Sequence, residues 1–131
     1  MQHLLRLADE QHVRVIERPG RTRGGFDPAT ATIRLSPGMS VRTTRSVLAH
    51  ELGHAHLGHV PTPVAAVRSH QERQADEWAA RQLISARAYA EAEELRGPHL
   101  ASLAFELGVT IELVTAYQRL LRQGAVTMAV A

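Results

Sequence analysis

The chain has 131 residues, enough for one domain with a core of its own, and no cysteine, which excludes disulfides, thiolate nucleophiles and thiolate-bound metals. Its 15 basic residues are all arginine, they nearly balance 13 acids, and only Arg18, Arg21 and Arg23 cluster, so direct nucleic-acid binding is not expected. Asp9 and Glu10 stand where a signal peptide would be apolar and no apolar run reaches membrane-spanning length, so a soluble, cytoplasmic protein with no membrane partner is expected.

Leu4 to Glu10 reads as a short helix and Val13 to Ile16 as a strand. A turn-rich stretch from Pro19 to Gly25 follows, and beyond the turn chemistry of Asp27-Pro28-Ala29-Thr30 a second strand covers Ala31 to Leu35. Ser36-Pro37-Gly38 breaks the chain, and Ser40 or Thr43 can cap a helix from about Val41 to Leu57, ended by Gly58 and Pro61-Thr62-Pro63. A loop over His59 to Ser69 leads to a second long helix, about His70 to Ile84, with Ala75, Trp78, Ala79, Gln82 and Leu83 on its packing side. Ser85 to Arg96, Leu100 to Leu107 and Thr110 to Arg122 read as three more helices, separated by Gly97-Pro98 and Gly108, with a frayed or edge tail after Gly124. The expected class is α+β: one mostly helical domain over 1–131, with a small antiparallel sheet packed on the helix that starts at Val41. The sheet and the two long helices occupy about 13–84, and a C-terminal helical part about 85–123.

That first long helix carries His50-Glu51-Leu52-Gly53-His54, an H-E-x-x-H. Residues four apart share a helix face, so His50 and His54 can reach one ion, while Leu48, Leu52 and Ala55 pack on the other side. Glu51 sits beside the ligand face, where it can take a proton from a water acidified by the ion. The competing use of these residues is an ordinary exposed face in a segment that also holds His56, His59 and His70. Nucleobase deaminases and enzymes resembling peptide deformylase need cysteine ligands and are excluded.

Catalytic zinc takes three protein ligands, so one more donor is needed. The metzincin spacing fails, because it requires Gly and His where the chain has Leu57 and Val60. His56 and His59, extrapolated along the helix, point away from the ligand face and read as solvated. Glu72 and Asp76 are four apart on the next helix, so Glu72 could complete the coordination while Asp76 accepts the free ring N–H of a ligand histidine. An ion pair with Arg68 or Arg73 is the competing use of Glu72, and His70 is the reserve ligand. Glu77, on another face, reads as a solvated charge. Tyr89, Tyr117, His70 and His99 could stabilise an oxyanion, though the tyrosines read more readily as core residues.

These residues resemble the ImmA/IrrE family of metallopeptidases. The resemblance rests on His50-Glu51-Leu52-Gly53-His54, Leu57-Gly58-His59, and Glu72 to Ile84, which follows a family pattern of roughly E-x-x-A-N/D-x-F/W-A-A-x-x-L. Ser85 stands where the family usually has a proline. The resemblance implies a zincin-like domain with zinc on His50, His54 and Glu72, manganese being the alternative ion, and Glu51 as catalytic base. It also implies a protein substrate, a helix-turn-helix repressor of a phage or mobile element inactivated by a single cut. Two other readings come from the binding class. One is a repressor-binding antagonist that never cleaves. The other is a helix-turn-helix DNA-binding module, for which Leu103 to Val109 supplies the turn and Thr110 starts the second helix, with a structural metal site. A small-molecule amidohydrolase on the same helix would need a closed pocket.

Overall fold

The computed structural model describes residues 1–129. In chain order these form α1 (Gln2–Glu10), β1 (Arg14–Glu17), β2 (Gly24–Asp27), β3 (Thr32–Leu35), α2 (Val41–His56), α3 (Ala65–Leu83), α4 (Ala86–Arg96), α5 (Leu100–Leu107) and α6 (Ile111–Arg122). The class is α+β, as expected, but the sheet is mixed rather than antiparallel. Its order is β1-β3-β2, with Val15 paired to Ile33 in parallel and Phe26 paired to Ile33 antiparallel. Strand β2 is not apparent from the sequence, since Gly24 and Gly25 look like turn residues and only Phe26 favours a strand. That extra strand reverses the chain a second time and so restores in β3 the direction of β1. Asp27 closes the β2–β3 hairpin by accepting from the Ala29 N–H at 2.9 Å and the Thr30 hydroxyl at 3.1 Å.

Alternation places Ile33 and Leu35 of β3 against the helices, both buried, while Arg34 faces outward. Its guanidinium donates to the carbonyls of Arg18 and Thr22 and to the hydroxyls of Thr22 and Ser36, at 2.7–3.0 Å, and so pins the loop between β1 and β2. Gly24 lets β2 lie flat on α2, because a Cβ there would stand 2.6 Å from Val47 Cγ1 and 2.9 Å from the Arg34 carbonyl.

Ser40 caps α2 by accepting from the Thr43 N–H at 3.1 Å. Leu48 and Leu52 are fully buried and form the core with Leu4, Ile33, Leu103, Val109, Leu113 and Val114. Helix α3 begins at Ala65, five residues before the expected start: its N-cap is Val64, which makes no side-chain cap, and with no acid in its first turn it carries no start signal. Its Ala75, Ala79 and Ala80 are fully buried, so it packs closely on its neighbours. Glu77, expected to be solvated, accepts from Arg119 Nε at 3.1 Å and ties α3 to α6. The tail is tied as well, with the Ala125 carbonyl accepting from Arg81 at 3.2 Å, while residues 130 and 131 lie outside the described part. Among the described residues no single helix is long and apolar enough to cross a membrane.

Candidate metal centre

The apolar face of α2 fixes which face is left over. With Leu48 and Leu52 in the core, His50 and His54 turn together toward α3. Helix α3 runs antiparallel to α2, so that His54 meets Glu72 and His50 meets Asp76. Gly53 permits this approach, since a Cβ there would lie 3.0 Å from the Ala75 carbonyl oxygen and 3.1 Å from its Cα.

His50 Nε2 lies 3.0 Å from Glu72 Oε2, His54 Nε2 lies 2.6 Å from the same oxygen, and the two ring nitrogens are 3.1 Å apart. The far side of each ring is held too. His50 Nδ1 donates to Asp76 Oδ1 at 2.7 Å, which aims its Nε2 at the cluster. His54 Nδ1 donates to His59 Nδ1 at 2.9 Å, and His59 Nε2 donates to Gln74 Oε1 at 3.0 Å. His59 and Gln74 therefore fix the His54 ring, a role the sequence reading does not give them. Helical extrapolation sends His59 into solvent, but α2 ends at His56 and Gly58, with φ +68°, turns the chain back on itself. That glycine is the signal that could have found His59, whereas nothing in the sequence singles out Gln74.

Charge follows from the same contacts. Burial works against the His50 imidazolium, but the carboxylates of Asp76 and Glu72 outweigh it and raise its pKa to about 10. Hydrogen bonds from His50 and His54 hold the Glu72 carboxyl well below the usual range. Glu51 is buried, and burial pushes its carboxyl above the ordinary value against the pull of His50 and His54.

The cluster opens to a recess of about 330 Å³ lined by Glu51, Glu72, Val47, Arg23, Glu112 and Leu113, among others. On the other side of Glu51 and Glu72 lies a second recess of about 230 Å³. Edge strand β2 borders both. Glu72 pairs with neither Arg68 nor Arg73 among the described residues. His70 lies elsewhere, in a recess with Arg73, Gln74, Glu77 and Arg119. His99 caps α5 through Ser102. Tyr89 and Tyr117 pack together in the core with ring centres 5.1 Å apart. The Thr110 N–H at the start of α6 donates to Ser46 of α2 at 3.1 Å, so the end that a DNA-reading helix would insert into a groove is docked on the motif helix.

The donor set fits a divalent cation. Two imidazole nitrogens and one carboxylate oxygen lie 2.6–3.1 Å apart, near the edge of roughly 3.3 Å of a tetrahedron drawn with zinc–ligand bonds of about 2.0–2.1 Å. A donor atom from each of His50, Glu51 and His54 also lies within 4.8 Å of the others. Glu72 and Asp76 draw positive charge to the point where the imidazoles meet, as a cation there would require. No curated protein matches the chain. The family described as Peptidase_M78, IrrE N-terminal-like domain, matches it over residues 8–117, and with the H-E-x-x-H geometry in place the chain belongs to that family of metallopeptidases.

Proposed function

We propose that the protein is a zinc-dependent endopeptidase in which His50, His54 and Glu72 hold the metal, Glu51 is the catalytic base and Asp76 orients His50. The observation that carries this is the convergence of His50 Nε2, His54 Nε2 and Glu72 Oε2 on one point beside the buried Glu51. Zinc, or manganese in its place, would supply Lewis-acid polarisation of a carbonyl and a water of lowered pKa. The remaining work falls to the chain. Edge strand β2 offers unpaired main-chain groups to an extended peptide, which aligns it past Glu51. Burial makes the Glu51 carboxylate a stronger base than an exposed one, so it can take the proton of the attacking water and return it to the leaving amine. Asp76 on one ring and His59 with Gln74 on the other keep both Nε2 atoms turned to the centre.

The substrate, by resemblance, is a helix-turn-helix repressor of a phage or mobile element, cut once within the cytoplasm. Incubating purified protein with repressors encoded nearby tests this, with metal content measured in parallel. The wild type is expected to carry about one zinc per chain and to produce a single cut. Glu51→Gln should keep the metal and lose the cut, and His54→Ala should lose both. A Glu51→Gln variant that still inactivates the repressor would overturn the hydrolase reading in favour of a binding antagonist.

A further inference from the structure

The two recesses beside the metal centre share Gly24, Glu51 and Glu72, so both open on the reacting groups. They differ in chemistry. The larger is rimmed by the ion pair of Arg23 with Glu112, 2.7 Å, and by Thr22, Ser46 and Thr110, with Val47 and Leu113 as its apolar walls. The smaller, away from Glu51, Glu72 and the imidazoles, is walled by Phe26, Val60 and Pro61 with one polar side chain, Gln71. Val60 is 59% exposed, and two more exposed valines follow it in the chain, Val64 at 52% just before α3 and Val67 at 43% in its first turn. Single exposed aliphatics are ordinary, whereas three within one short segment, beside a recess that opens on the reacting groups, mark a contact surface. The segment is also held in shape. Gln71 Nε2 donates to the Val60 carbonyl at 3.3 Å, the Val64 N–H donates to the Thr62 hydroxyl at 3.2 Å, and Pro61 and Pro63 stiffen the backbone between.

Resting on the hydrolase reading above, we propose that this smaller recess is the specificity subsite. It takes a bulky apolar side chain, of leucine, isoleucine, methionine or phenylalanine type, from the residue on one side of the cleaved bond, and Val60 and Phe26 are its determining walls. Substrates are then protein segments with such a residue at one fixed position next to the cut. The neighbouring Val64 and Val67 extend the contact along the same apolar side.

The test measures binding to the zinc-loaded full chain. Its probes are four small hydroxamates, with a leucine-type or an aspartate-type side chain on either side of the metal-binding group. In one of the two placements the leucine-type probe is expected to bind about tenfold tighter or more. Val60→Asp, at an exposed position, should bring that ratio near one with zinc content unchanged. Equal binding of both types in both placements, or a preference unmoved by Val60→Asp, overturns the proposal. If the wild type cleaves no protein, the hydrolase reading fails, yet the same binding ratios still decide the subsite.

Discussion

Gly53 is the point at which helix packing meets the proposed metal centre, and Gly53→Ala perturbs both together. The new methyl would lie 3.0 Å from the Ala75 carbonyl oxygen, 3.1 Å from its Cα and 3.3 Å from Trp78 Cε3. Two of these atoms are backbone, so relief requires α3 to move outward by a few tenths of an ångström. Overpacking of this kind costs about 1–3 kcal/mol, while alanine gains about 1 kcal/mol of helix propensity over glycine. The net destabilisation is then roughly 0–2 kcal/mol, a fall in Tm of a few degrees. Glu72 lies on α3 less than one turn before Ala75, so the same shift draws its carboxylate away from His50 and His54. Zinc affinity should fall about tenfold, within the range seen when a ligand's support is disturbed. Thermal unfolding of the metal-free chain and chelator competition on the loaded chain measure the two effects separately. A variant that is more stable than wild type and binds zinc equally well would refute the close-approach argument.

His59→Ala should weaken zinc binding by about 10–100-fold, because His54 Nδ1 loses the partner that orients it. Circular dichroism should show little change in fold, and an unchanged affinity in chelator competition would remove His59 from the site. His50, whose folded pKa is raised from 6.5 to about 10, stabilises the metal-free fold fully below pH 6.5 and loses that contribution as pH rises through about 10. Zinc must displace that proton, so uptake at pH 7.5 should release about one proton per ion from His50. Calorimetry in buffers of different ionisation enthalpy reads this number, and none released at pH 7.5 would contradict the assigned charge. Leu48 is fully buried on the core-facing side of the motif helix, and Leu48→Ala should cost about 2–5 kcal/mol in denaturant unfolding. A loss well under that would mean the helix is not anchored there.

Much of the site is legible in the sequence because helical periodicity is local. The spacing of His50, His54, Glu72 and Asp76 is enough to bring the four residues together once two helices pack antiparallel. The contacts that depend on how the chain leaves a helix are not legible. His59 reaches His54 only because Gly58 reverses the backbone after His56, and a periodic reading cannot anticipate that reversal. Strand β2 is hidden for a related reason. Gly24 is selected by its distance to Val47, a tertiary constraint, so the residue that makes the strand fit also makes it look like a turn. Glu77 appears solvated until α6 arrives with Arg119 from much later in the chain.

All the donor groups and their supports, from His50 to Asp76, lie on one uninterrupted stretch formed by two helices and the turn between them. The walls of the larger recess come mostly from elsewhere, since Arg23 precedes that stretch and Glu112 and Leu113 follow it, while the smaller recess joins Phe26 of the sheet to Val60 of the turn itself. The chemistry is thus written in one part of the gene and the selectivity in several. Substitutions in the sheet or in α6 can retune which polypeptide is accepted without touching a donor, and descendants of one ancestor can diverge in target while keeping the same reaction.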